Sequence, residues 1–153
     1  MISRTDIAEA VLKLEIVEWS NMIWLDYSYE AFELDFLEGE FTASLAQRYA
    51  ALDWRKWLSS RRDCDKFSWL AKQHAHEIHA FSSKNDAAAA FGLFMYFPEA
   101  MKGEKHCVNF AVTSLNPVRL ALYEPQPHPV TGIPVGVIAP TRAELHSCDF
   151  LLV

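Results

Sequence analysis

Three side chains of this 153-residue chain could do chemistry together: the thiol of Cys64, the imidazole of His106 and the carboxylate of Glu124. A thiol needs ionising before it attacks anything, because the thiolate is the nucleophile. Cys64 lies in Arg62-Asp63-Cys64-Asp65-Lys66-Phe67, where Asp63 is a plausible helix N-cap and the cysteine falls in the first turn. Unpaired backbone N–H groups there carry partial positive charge, which favours the thiolate. A histidine can take the thiol proton, and a carboxylate can orient the histidine. Small buried cysteines are also common in cores, so the assignment depends on what positions these groups.

The first positioning element is a helix from about Cys64 to Phe81. Phe67, Leu70, Ala71, Ile78 and Phe81 recur at three- and four-residue spacing and form one apolar face. Cys64 lies three residues before Phe67, on or beside that face. The helix also carries His74, His76 and His79. Their offsets do not put all three on one side, so they do not read as a zinc set.

The second element is a hairpin around Asn116-Pro117. With Ser114-Leu115-Asn116 as the loop, Val112 faces Val118, Phe110 faces Leu120, Val108 faces Leu122 and His106 faces Glu124. Directly opposed residues have Cβ atoms about 4.5–5.5 Å apart. An apolar stripe thus ends in an imidazole–carboxylate pair. A slip of one residue would turn the stripe to solvent; a slip of two is possible. The stripe must pack on something apolar, and the cysteine helix is the best candidate. That packing would gather Cys64, His106 and Glu124 as nucleophile, base and orienting group.

The rest of the chain sets the frame. Half the residues are hydrophobic (51%) and charged residues make up 22%, so a chain this long buries a real core as one domain over 1–153. Thr5 can cap a first helix to about Asp26, with Ile7, Ala10, Val11, Leu14 and Val17 as its stripe. A second helix is expected from about Ala43 to Leu58. Strands are expected at Gly92–Phe97, His106–Thr113, Val118–Glu124, Val135–Ile138 and Phe150–Val153. Helices first and strands later give an α+β plan, N-terminal helices packed on a C-terminal antiparallel sheet. Cys148 and His146 fall in the last part without a role beyond sheet.

Three cysteines without CxxC spacing argue for a reducing compartment, read as the cytoplasm, and against disulfides. The N-terminus has no signal-peptide pattern and no apolar run reaches membrane-span length. The net charge of −6 argues against nucleic acid as partner. Asp26, Glu30, Glu33, Asp35, Glu38 and Glu40 lie among Trp24, Tyr27, Tyr29, Phe32, Phe36 and Phe41 with no lysine or arginine between. That stretch is either a solvated acidic face or a surface for a basic partner or a hard cation. It lacks EF-hand spacing.

Asp-Cys-Asp-x-Phe at Asp63–Phe67, His-x-x-Asn at His106–Asn109 and Tyr-Glu-Pro-Gln at Tyr123–Gln126 resemble the papain-like cysteine protease domain at the C-terminus of Marasmius-type fungal agglutinins and related phage and bacterial proteins. The likeness covers about Trp54 to Gln126. It implies a papain-like fold, a Cys64–His106–Glu124 triad, a peptide or protein substrate and, from the fungal members, calcium-dependent activity. The chain departs from that pattern in having no lectin repeat, and the position of the family's oxyanion-hole glutamine falls on Trp57. Two functions follow as expectations. One is a cysteine hydrolase of peptidase or amidase type. The other is an inactive scaffold acting as a protein-binding module, with the acidic, aromatic N-terminal half as its working surface.

Overall fold

The computed structural model describes residues 1–13, 22–54, 63–84, 86–115, 117–126 and 135–153. The architecture is α+β. Strands β2 (Met22–Ile23), β5 (Phe91–Tyr96), β6 (His106–Leu115), β7 (Val118–Glu124), β8 (Gly136–Ile138) and β9 (Phe150–Leu152) form one six-stranded sheet in the order β2-β9-β5-β6-β7-β8. All neighbours in it are antiparallel except β2 and β9. A small second sheet joins β1 (Ile2–Ser3), β3 (Ser28–Glu30) and β4 (Ala88–Ala89).

Two apolar clusters flank the large sheet. Ile7, Ala8 and Val11 of helix α1 (Arg4–Lys13) join Phe94, Val108, Phe110, Val112, Leu122 and Leu151 in one. Phe67, Ala71 and Ala75 of helix α4 (Cys64–Ser82) join Phe91, Ala111 and Tyr123 in the other, with Leu37, Phe41, Leu45 and Tyr49. Alternation along β6 and β7 explains the division, since successive side chains point to opposite faces. The even-numbered stripe of the hairpin therefore packs with α1. The cysteine helix lies on the odd face, contrary to the expectation from the sequence. The odd residues there are small or aromatic (Ala111, Tyr123), which lets the helix approach closely.

α1 begins one residue before Thr5. Ser3 and Asp6 close its first turn reciprocally: Ser3 N and Oγ donate to Asp6 Oδ2, and Asp6 N donates to Ser3 Oγ. The expected continuation toward Asp26 fails at Met22–Ile23, which pairs with Leu151 and Leu152 as β2; Leu14 and Val17 lie outside the described residues. The second helix starts earlier than its pattern suggested. α2 (Leu34–Phe36) runs through a wide turn at Leu37–Phe41 into α3 (Thr42–Ala51). It stops before Leu58, because Asp53 turns left-handed (φ 55). Gly92 marks the tightest packing in the sheet: a Cβ there would collide with the Leu152 carbonyl and the Phe110 ring.

Candidate functional site

The site is assembled from the N-terminus of α4, the start of β6 and the end of β7. Asp63 occupies the N-cap position with extended backbone (φ −99, ψ 179), but its side chain makes no capping bond. Lys66 Nζ takes its carboxylate instead, at 2.6 Å. Cys64 is half-buried and packs against Cys107, Leu93 and Leu152. Three hydrogen bonds fix the helix to the sheet beside it. Asn109 Nδ2 donates to the carbonyls of Ser68 and Gly92, and Ser68 Oγ donates to the Cys107 carbonyl. Asn109 is fully buried; polar residues in mid-strand are uncommon, which was the available signal for this tie.

His106 opens β6 opposite Tyr96, and Glu124 closes β7. The β6–β7 register is Phe110 with Leu122 and Asn109 with Tyr123, two residues away from the pairing read from the sequence. A shift between Val112 and Ser114 leaves Thr113 as the extra residue. Glu124 is therefore diagonal to His106, and long side chains still span that gap. His106 Nε2 and Glu124 Oε2 lie 2.6 Å apart and both residues are fully buried. Glu124 Oε1 also accepts from Gln126 N at 3.2 Å.

The stretch carrying Glu124 is held on both sides. Tyr49 Oη donates to the Pro125 carbonyl at 2.6 Å, and Tyr123 Oη meets Thr42 Oγ1 at 2.9 Å. Gln126 is fully buried, and its side-chain amide has no hydrogen-bond partner among the described residues. Sequence reading named Gln126 only as part of a motif; a polar residue directly after Glu-Pro was the sole signal. Trp57 lies outside the described residues.

Electrostatics follow from this enclosure. Burial works against a charged His106 ring, but the neighbouring Cys64 and the hydrogen-bonded Glu124 carboxylate outweigh it and raise the ring to about 9. Burial raises Glu124 above the usual carboxylate range, partly offset by His106 and the Gln126 N–H. Burial pushes the Cys107 and Cys148 thiols up to about 12, which leaves them inert. The structure thus joins His106 and Glu124 in one buried pair and sets Cys64, at the start of α4, within electrostatic reach of the ring. The described clefts, of about 390 to 470 Å³, are lined by other residues, and His106 and Glu124 are wholly shielded.

The helix α4 histidines are engaged separately. His74 Nε2 meets Ser44 Oγ, His76 Nε2 meets Lys72 Nζ, and His79 Nε2 meets the Ala87 carbonyl. Among the described residues no group of three or more His, Cys, Asp or Glu could hold a metal, and no helix is long and apolar enough to cross a membrane. The acidic segment divides. Glu30, Glu33 and Glu40 line the 470 Å³ cleft with Phe32, Phe36, Ile78 and His79, whereas Asp26 borders a different depression and Asp35 is exposed in α2.

No family model and no curated protein matches the chain. Solved structures do. PSL1a, in a structure titled "PSL1a-E64 complex", superposes with a TM-score of 0.72 at 19% identity, over 99% of this chain and 51% of that one. A lectin of Polyporus squamosus, bound to a human-type influenza-binding epitope, gives a TM-score of 0.71 at 18% identity, over 99% of this chain and 49% of the lectin. The chain spans about half the length of either, and at this identity the likeness shows the fold alone. These findings correct the assignment to the papain-like cysteine protease family, and with it the hydrolase reading and its peptide substrate. One of the two similar structures is described as a lectin, and neither is described as a protease.

Proposed function

We propose that the chain is a protein-binding module whose working surface is the acidic, aromatic cleft between the Glu30–Glu40 segment and the C-terminal half of α4. The observation that carries this is the cleft's lining. Three carboxylates, Glu30, Glu33 and Glu40, stand around an apolar floor of Phe32, Phe36 and Ile78. Of the lining residues, His79 has its Nε2 3.6 Å from Glu30 Oε2 and also bonded to the Ala87 carbonyl. Such a cleft suits a lysine or arginine whose aliphatic stem covers aromatic rings while its charge meets carboxylate. The partner is a protein segment presenting basic and aliphatic side chains. Its binding is tested by fluorescence anisotropy with a labelled Leu-Arg-Leu-Lys peptide against Glu30→Lys and Glu33→Lys variants. Binding unaffected by both changes would sink the reading. The epitope that the lectin binds belongs to that protein, and this chain matches about half of the lectin's length.

The geometry at Cys64 favours a second reading, about chemistry at one residue rather than about the partner. Cys64, His106 and Glu124 form a reactive-thiol centre, in which the imidazole holds the thiol proton and Glu124 stabilises the imidazolium. The place of Cys64 at the start of α4, beside a ring that Glu124 holds and that is raised to about 9, supports it. Iodoacetamide labelling resolved by mass spectrometry tests it: labelling of Cys64 no faster in wild type than in His106→Ala would sink it.

A further inference from the structure

We infer that the outer edge of β7 from Val118 to Ala121 is a docking edge for an extended peptide strand of aliphatic–acidic–aliphatic pattern. β7 pairs with β6 over most of its length on one side. On the other side β8 reaches only Leu122, Tyr123 and Glu124. Beyond Ile138 the chain leaves the sheet at Ala139-Pro140, and Pro140 has no N–H with which to continue the ladder. Among the described residues no strand covers Val118–Ala121.

A strand edge left in this state presents backbone donors and acceptors that only another extended chain satisfies in register. Here the edge also has a place for the incoming side chains. A cavity of about 400 Å³ wraps around it, lined by Phe110, Leu120, Leu122, Ile138 and Leu145, with Leu34 and Arg119 also at its wall. Edge strands are commonly guarded by charges, proline or a bulge, and Arg119 is the one charge along Val118–Ala121. Arg119 is exposed and makes no ion pair among the described residues.

The pattern of the occupant follows from the pleat. Residues opposite Val118 and Leu120 share their face and enter the apolar space. The residue between them shares the face of Arg119 and is acidic. The occupant lies where β8 would have continued, so its binding extends an interface the fold already has.

The test uses the amidated peptide Thr-Val-Glu-Val-Thr and the intact chain, read by amide hydrogen exchange at Val118–Ala121 and by peptide titration. Added peptide should slow exchange at those amides. N-methylation of the two valines, or glutamate replaced by lysine, should weaken binding by about tenfold, the size of one or two lost hydrogen bonds or an ion pair. Arg119→Glu should reverse the preference between the glutamate and lysine peptides, while Glu30→Lys with Glu33→Lys should leave this binding unchanged. Amides already protected in the free protein, protection that appears with protein concentration alone, or equal binding of the N-methylated peptide would each overturn the inference.

Discussion

His106 Nε2 and Glu124 Oε2 lie 2.6 Å apart in a place that water does not reach, though the two residues are diagonal rather than opposed in the β6–β7 hairpin. Such a pair is costly to break from one side, because the surviving partner is left charged and buried. Glu124→Ala is expected to destabilise the fold by about 3–5 kcal/mol, measured by urea unfolding. It should also lower the His106 titration midpoint in an NMR pH series. The sign of the pH dependence follows from the raised histidine. His106 is raised from its usual 6.5 to about 9, so its stabilisation is full below about pH 6.5 and is lost as pH rises through about 9. Glu124, also raised by burial, works against stability once pH climbs out of the acid range. A variant with the same loss of stability between pH 6.5 and 9 as the wild type would show that the pair is not its source.

Cys64 is half-buried and within electrostatic reach of His106, whereas burial pushes Cys107 and Cys148 to about 12. Iodoacetamide should therefore modify Cys64 first by a wide margin at pH 7. The rate at Cys64 should fall in His106→Ala and, less steeply, in Glu124→Gln. Equal labelling in wild type and His106→Ala would remove the reactive-thiol reading while leaving the binding cleft untouched.

Much of this arrangement can be read from the chain, and the gaps have physical causes. α4 runs from Cys64 to Ser82, where its three- and four-residue spacing placed it, and Val118–Glu124 is the strand that alternation predicted. Two local signals are strong there: a long amphipathic period and an uninterrupted pleat. The hairpin register slipped by two because the strands stay paired up to Leu115 and Val118, three positions off the expected register, and the extra residue Thr113 takes one back; nothing in Thr113 itself announces a bulge. The slip preserved the apolar face, so the His106–Glu124 contact survived by side-chain reach. Which face meets the cysteine helix was misread because the choice depends on how closely small Ala111 lets α4 approach. The β2–β9 pairing joins residues from opposite ends of the chain, and no local pattern encodes it. The three α4 histidines went to hydrogen bonds with Ser44, Lys72 and Ala87, partners fixed only by tertiary packing.

Gly92 tests the sheet beside the site. It sits where β5 passes between β6 and β9, and any side chain meets the Leu152 carbonyl and the Phe110 ring. The Leu152 carbonyl is backbone in a fully paired strand and has little room to move. Gly92→Ala is expected to cost about 3 kcal/mol or more, at or beyond the usual range for overpacking. Differential scanning calorimetry checks it, and an unchanged Tm would mean that β9 yields.

The acidic cleft gives a charge-reversal test. Glu30 accepts from Ser83 Oγ at 2.6 Å, so it is fixed in place, and Glu33 borders the same space. Replacing both with lysine should lower affinity for a basic aliphatic peptide by at least tenfold, about 1.4 kcal/mol. The wild-type affinity should itself fall as salt rises, because the Debye length shortens below about 10 Å above 0.1 M. Asp35→Lys lies outside the cleft and should change little.

Lys72 supplies a last test, with a pH dependence opposite to that of His106. It is buried on α4, where Nζ contacts the Phe91 carbonyl at 3.0 Å and His76 Nε2 at 2.9 Å. Burial, opposed weakly by the charge of Asp26, lowers its ammonium to about 8. A lysine depressed in the folded state penalises folding when it must be charged. The penalty is full below about pH 8 and fades as pH rises from about 8 toward the ordinary value near 10.4. His76, itself lowered by burial and by the neighbouring lysine, is neutral across that window and adds no slope. Lys72→Met keeps the stem and removes the charge, at the expense of one hydrogen bond to Phe91. The difference in unfolding free energy between wild type and Lys72→Met should therefore shift in favour of the wild type between pH 8 and 10. A flat difference across that range would show that Lys72 is solvated or paired more fully than its burial implies.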